Sequence, residues 1–500
     1  TLFRSGNGFT ITSKNTEEEA GDAAGILVTG AATIKNLTVS GPNNTTNTWD
    51  KGEYGIKVYG TSDVTLQDVT VTKANAGIQV NSSTVTLAGI VTVSGNEWGG
   101  IEVCKSSNEG LNAGNLTIGE GATVVCTDTD VPAIWIDGTT EDDGVVNGAG
   151  GMIKVTMGSQ IYYYPAGTNI TITGQKTISA DSTVENLTVA EGATLTVAEN
   201  VTLTVTGTLT VNGTLTKSGT IALSDSASYL VSDESGLNSV IELARDGDTI
   251  SVTGEISLEN PITISKDITI DGKGTGKIKN KAITVKADVT FKNLALESPT
   301  NTNSNASHVY VQDGCENITF EGVTFNDPQW EAIQITSKDL KKLIVKGCTF
   351  TASNVQGAGS SYGNTASQAI RYIHVQPSQT DNVVAAMTIT NNVFENCDNV
   401  KDSIVGIFYI AEGSTLTVGN NLFSGYAKPE IETHPSRFCF GWPAMIVVDD
   451  YAVWKGNETT YTYSDPTASA VEDVLENESV IVEDPVEETT TLTVTSDTEN

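Results

Sequence analysis

Apolar residues in this chain recur in short alternating runs, not at helical spacing. A motif of small residue, apolar, any, apolar appears as GILV from Gly25, GIKV from Gly55, GIQV from Gly77, GIEV from Gly100 and AIWI from Ala133, at steps of 30, 22, 23 and 33 residues. After each early copy comes a second run, in which apolar alternation is broken by a turn and then resumes: ATIKNLTV from Ala32, VTLQDVTV from Val64, VTLAGIVTV from Val85. The same pairing returns as AITV with VTFKNLAL, HVYV with ITFEGVTF, AIQI with LIVKGCTF, YIHV with MTITNNVF, and FYI with LTVGNNLF. Strands this short cannot bury a face alone. Copies stacked ~4.8 Å apart would share one continuous core of inward Ile, Val, Leu and Phe. Steps of 21 to 25 residues predict one three-sided coil each of a parallel β-helix, and longer steps predict loops inserted at a corner. The largest insertion, Thr351 to Ala369, is made of turn-forming residues. The predicted fold class is all-β, a β-solenoid, and the general bias of parallel crossovers makes it right-handed.

The pattern changes in two places. From Val184 to Leu223 the period falls to six residues (GTLTVN, GTLTKS, GTIALS), which predicts a thin β-solenoid spacer with Leu and Val inward and Thr outward. Its TxT pairs (Thr194 and Thr196, Thr202 and Thr204, Thr208 and Thr210, Thr214 and Thr216) resemble ice-binding arrays. Their uneven steps of 8, 6 and 6 argue against a regular lattice. Around residue 240 the spacing of Leu237, Val240, Ile241 and Ala244 is helical, predicting a short amphipathic helix that plugs an open solenoid end.

That helix opens NSVIELARDGDTISVTGEISLENPITISKDITIDG, Asn238 to Gly272, which resembles the N-terminal cap and first coils of the pectin-lyase-like right-handed parallel β-helix superfamily, adhesin-like bacterial surface repeats included. The resemblance covers about Ser235 to Tyr426, and more loosely Gly25 to Gly138. It implies a fold and says little of activity. The expected division is residues 1–5 as an artefact resembling a translated sequencing adapter, 6–165 as a first β-helix, 166–225 as the spacer, and 226–450 as a second β-helix with its helical cap. Residues 451–500 are then a linker or the start of a third β-helix, whose cap is read from Ser469 onward.

Composition narrows the functional classes. Lys and Arg number 27 against 61 Asp and Glu, for a net charge of −34, which excludes nucleic acid as the expected partner. No run is apolar enough to span a membrane, so the chain is not expected to be membrane-embedded. The six cysteines lie far apart with no CxxC pair, giving no zinc signature; they are read as small buried thiols. No cofactor and no metal site are expected, with calcium left open.

Candidate chemistry sits on outward positions of stacked strands. In the first domain the outward column runs Leu27, Lys57, Gln79, Glu102, Trp135, of which Glu102 and Trp135 are candidate ligand contacts. The nearby IWIDG (Ile134 to Gly138) resembles a strand of pectate lyases, but Gly138 stands where that pattern carries His. In the second domain the column runs Thr284, Tyr310, Gln334, His374, Tyr409, flanked by His308, Tyr372, Trp330 and Arg371. Aromatic rings stack on sugar faces while Gln and His supply hydrogen bonds, so Tyr310, Gln334, Trp330, Tyr372, His374 and Tyr409 are the candidate ligand-binding set. For catalysis the candidates are His374, Arg371, Asp327 and Glu331, the last two read as loop acids beside Trp330. The motif set of polygalacturonases (NTD, DD, GHG, RIK) is absent, as is a lyase-like Asp triplet with a catalytic Arg. A further column, Lys292, Glu321 and Lys346, is read as structural. The favoured reading is an extracellular, cell-surface, adhesin-like repeat protein that binds polysaccharide, host glycan or host protein. The alternatives are a polysaccharide lyase or glycoside hydrolase acting on acidic polysaccharide, and a passive stalk.

Overall fold

The computed structural model describes residues 8–12, 23–41, 53–224, 227–299, 307–328, 331–351, 371–377, 383–395, 405–407, 410–423, 438–440, 446–448 and 459–462. The chain divides into two compact units, one Thr1–Ala244 with Thr249–Ser251, the other Arg245–Asp248 with Val252–Asn500.

In the first unit two parallel ladders carry the two sequence motifs. The GIxV motifs stack as Ala23–Val28, Glu53–Tyr59, Ala76–Asn81, Gly99–Cys104 and Ile134–Ile136. Alternating nine-residue strands stack beside them, Ala32–Ser40 on Val64–Thr72 on Thr84–Thr92. Each of these long strands serves two sides of the coil. Val64 and Leu66 point inward, the alternation resets at Asp68, and Val69 and Val71 point inward again. Asn36, Asp68 and Gly89 make that reset with φ of +53°, +52° and +60°, a conformation that Asn, Asp and Gly tolerate best. The small residue of the GIxV motif is a matter of close approach. A Cβ on Gly25 would lie 2.9 Å from the Gly55 carbonyl oxygen, and one on Gly77 2.6 Å from that of Gly100.

The Thr-rich stretch belongs to this unit, and its six-residue period marks sides, not coils. Thr202–Val205, Thr208–Val211 and Thr214–Lys217 lie on three different sheets, and Thr202–Val205 pairs with Thr220–Leu223, three sides on. Leu187 sits on Leu209, Leu195 on Leu215 and Leu203 on Ile221, so a coil here takes 22, 20 or 18 residues. These coils equal or fall slightly short of the 22 residues separating the paired Ile56 and Ile78.

The predicted helix spans Glu234–Leu243, with Asp233 as N-cap accepting from the Gly236 amide at 2.7 Å. Leu237, Val240 and Ile241 are its buried face, and it packs on Thr208–Val211, Thr214–Lys217 and Ser228–Val231. It covers the last coils of the first unit.

The second unit is a three-sheet parallel β-helix. One sheet stacks Ile268–Asp271, Val289–Lys292, Asn317–Glu321, Lys342–Lys346, Ala386–Thr390 and Thr415–Gly419. Its outward column places Lys292 by Glu321 and Glu321 by Lys346, as read from the sequence. Inside, Phe325, Phe350 and Phe394 from successive coils stack at 4.7 and 4.8 Å. The NN turns have a role of their own: Asn392 donates to the Val345 carbonyl and to Asn421 Oδ1, and Asn421 donates to the Ile389 carbonyl, satisfying buried backbone at the corner. Among the described residues no helix is long and apolar enough to cross a membrane.

Candidate functional site

The first-unit column forms as the sequence predicts: Leu27 pairs with Lys57, Lys57 with Gln79, Gln79 with Glu102, and Glu102 with Trp135. Its exposure differs from expectation. Gln79, Glu102 and Trp135 are only 3%, 7% and 6% exposed. The cause is a β-hairpin, Met152–Met157 and Gln160–Pro165, which no repeat motif announces. Its second strand pairs antiparallel with Ile134–Ile136, setting Tyr162 opposite Trp135. The parallel ladder stops there, and aromatic side chains gather over the column: Trp135, Tyr54 and Ala76 pack together, with Trp98 and Tyr162 against them.

Between hairpin and column lies a cleft of about 460 Å³. Trp98, Trp135, Tyr162 and Tyr164 supply aromatic wall, and Glu97, Glu102, Asp130 and Asp137 supply carboxylates against the single ammonium of Lys176. Glu102 accepts from the Gln79 amide nitrogen at 3.0 Å. Burial pushes its carboxyl up to about 6, helped by the charge of Asp137 and opposed by the Gln79 hydrogen bond. Asp137 is exposed and held by Gln160, whose amide donates to it at 2.9 Å while the Tyr162 hydroxyl donates to the Gln160 carbonyl oxygen. Lys176 lies over the Tyr162 ring, 5.9 Å from its centroid. Tyr162 is held above the ordinary phenol value by burial and by Asp137. At Gly138 the φ is +146° and a Cβ would strike the Asp143 side chain, so the His of the pectate-lyase-like pattern does not fit this turn.

In the second unit Thr284 pairs with Tyr310, Tyr310 with Gln334 and Gln334 with His374, but the place beneath His374 is taken by Gly406. Tyr409 and Trp330 lie outside the described residues, as does the side chain of Arg371, whose backbone pairs with Glu331. Glu331 is no loop acid; it opens the strand Glu331–Ile335 and is buried. His374 is buried beside it, Nδ1 lying 3.1 Å from Glu331 Oε1, while Ser307 Oγ donates to Glu331 Oε2 at 3.0 Å. The structure thus joins His374 to Glu331 in a buried polar cluster. Tyr372 is removed from the outward set: it is fully buried, its ring against Phe350 and Phe394, its hydroxyl donating to the Glu395 carbonyl at 2.6 Å. Strict alternation would turn Tyr372 outward with His374, so its burial marks a break in the alternation just before Ile373. Tyr310 and Gln334 are half-buried. Asp327 follows Thr324–Asn326 with φ +50°, its amide donating to the Thr351 carbonyl.

His308 is 3% exposed, with Nε2 3.0 Å from the Asn326 carbonyl oxygen and its ring near Phe325. A carbonyl only accepts, so Nε2 carries the proton and Nδ1, which has no partner, is bare. Burial lowers this imidazole to about 4. The cysteines Cys104, Cys126, Cys315 and Cys348 are free and buried, and burial raises each thiol: Cys126 to about 11, Cys315 and Cys348 to about 12. They are chemically quiet. Among the described residues no group of three or more His, Cys, Asp or Glu is placed to hold a metal ion.

The cleft residues Trp98, Gln160, Tyr162, Tyr164 and Lys176 escape a repeat-based reading. The one available signal was the IYYYP run at Ile161, an aromatic cluster out of phase with the coils.

Residues 282–434 match the family described as right handed beta helix region. No curated protein matches the chain in sequence. Among solved structures the chain is similar to the PL6 family alginate lyase AlyGC, at 9% identity and a TM-score of 0.31 over 84% of this chain and 88% of that one. A point mutant of AlyGC gives 9% and 0.29 over 87% and 90%. Residues 282–434 match a right-handed β-helix region, and the chain has a right-handed parallel β-helix fold.

Proposed function

We propose that this protein is an extracellular, cell-surface β-helix whose first unit binds a glycan in the cleft between the Met152–Pro165 hairpin and the Glu102–Trp135 column. The observation that carries this reading is the combination of aromatic wall (Trp98, Trp135, Tyr162) with carboxylates (Glu102, Asp137) in one cleft large enough for one or two sugar rings. Aromatic faces stack on the apolar faces of sugars, and carboxylates accept from their hydroxyls. The half-buried Tyr310 and Gln334 of the second unit would add outward contacts to the same kind of partner. The test is calorimetric titration of a glycan panel into the chain and into its Trp135→Ala and Tyr162→Ala variants. Saturable binding weakened at least tenfold in both supports the reading, and binding unaffected by either sinks it.

A second reading, glycoside hydrolysis, is favoured by one observation: Glu102 and Asp137 are neighbouring carboxylates in unlike environments, one buried and raised to about 6, the other exposed. That asymmetry suits a general acid beside a base. New reducing ends that vanish in Glu102→Gln would establish it. The carboxylates around the cleft repel an acidic polysaccharide, so neutral substrates head the panel.

A further inference from the structure

Resting on the glycan-binding reading, we infer that the first-unit cleft takes an amino sugar in its protonated form, not a neutral or acidic one. Four carboxylates line the cleft against one ammonium. Lys176, that ammonium, is directed over the Tyr162 ring. Asp137 is pre-positioned: the Gln160 amide holds one of its oxygens, and Tyr162 in turn holds Gln160. Glu102 is held from behind by the Gln79 amide nitrogen. Gln79 Oε1 behind it is buried without a hydrogen-bond partner and does not itself line the cleft. A protonated amine has N–H donors only, so it complements a site whose free capacity is acceptor. The surrounding rings of Trp98, Trp135 and Tyr162 favour a cation over their faces and stack on the sugar that carries it. A carboxylate-bearing sugar would instead meet like charge on several sides of a partly enclosed space.

The test is titration of the full chain at pH 6.5 with three tetrasaccharides: the glucosamine oligomer, its N-acetylated counterpart, and a galacturonate oligomer. The glucosamine oligomer is expected to bind at least tenfold tighter than the acetylated one, with the advantage shrinking as salt is added, and the galacturonate oligomer is not expected to bind. In the Glu102→Gln/Asp137→Asn double variant, checked for folding by its thermal melt, the advantage should fall at least fivefold. In the Asp313→Asn/Asp339→Asn control on the second unit it should be kept. Equal or tighter binding of the acetylated or acidic oligomer overturns the amino-sugar inference and leaves glycan binding standing. An advantage undiminished in the double variant assigns it to the overall negative field and also overturns the inference. No binding of any oligomer overturns both.

Discussion

Protonation of His308 should undermine the second unit locally as the pH falls. Its Nε2–H is committed to the Asn326 carbonyl, and Nδ1 sits unpartnered beside Phe325. Placing the second proton on Nδ1 would bury a cation with nothing to receive its hydrogen bond. The folded imidazole titrates near 4, against about 6.5 in the unfolded chain. With a folded value below the unfolded one, the contribution to stability is intact above about pH 6.5. It declines as the pH drops, because the unfolded chain then takes up a proton that the folded chain refuses, and the loss is complete near pH 4. At about 1.4 kcal/mol per pH unit the total is about 3 kcal/mol. The assay is hydrogen exchange read on peptides covering Val309–Val311, converted to an opening free energy at pH 7 and at pH 4. His308→Gln, which keeps an N–H for Asn326 and cannot titrate, is the comparison. The wild type should lose about 3 kcal/mol more than His308→Gln between the two pH values, while peptides over Leu203–Val211 behave alike in both proteins. Parallel losses at Val309–Val311 would falsify the reasoning.

Three further outcomes are expected. Glu102→Gln should stabilise the chain at pH 7 by about 2 kcal/mol and lose that advantage below about pH 4.5. A carboxyl held near 6 costs stability as the pH rises through that value, and paired urea melts at pH 4 and 7 read the difference. Gly100→Ala should destabilise the first unit by 1 kcal/mol or more, because the new Cβ meets the Ala133 carbonyl oxygen and the Val93 side chain. A thermal melt in which this variant matched the wild type would contradict the close-approach account. Phe350→Ala removes the middle ring of the stack with Phe325 and Phe394 and should cost about 3–5 kcal/mol by denaturant titration.

The ladders were legible because period-two alternation and near-constant coil length act together. Once GIQV is set on GIEV, the pairing of Gln79 with Glu102 has no freedom left. Where two segments satisfy the same pattern, the sequence alone does not choose. Val405-Gly406-Ile407 and Phe408-Tyr409-Ile410 are both apolar-x-apolar, and the ladder takes the first, while Ile410 bridges to Val383. The burial of Glu102 and Trp135 could not be read from their own strands, since it comes from an antiparallel hairpin tens of residues away. Glu331 shows the converse: a charged residue beside a proline- and tryptophan-containing segment looks like a surface acid until Ser307 and His374 are seen to surround it.

Leu343 lies against Met387 in the same ladder although 44 residues separate them, while Ile268 lies against Val289 across 21. The stack keeps its alignment through both intervals, so chain length between rungs and the order of the rungs are independent variables. The longer interval leaves the pairing of the described strands in register, and closing a longer excursion costs little extra entropy. A gene encoding such a chain can therefore trial new surface segments by small in-frame duplications without endangering its scaffold. For the same reason the corner after Phe350 is the natural place to graft a foreign recognition loop.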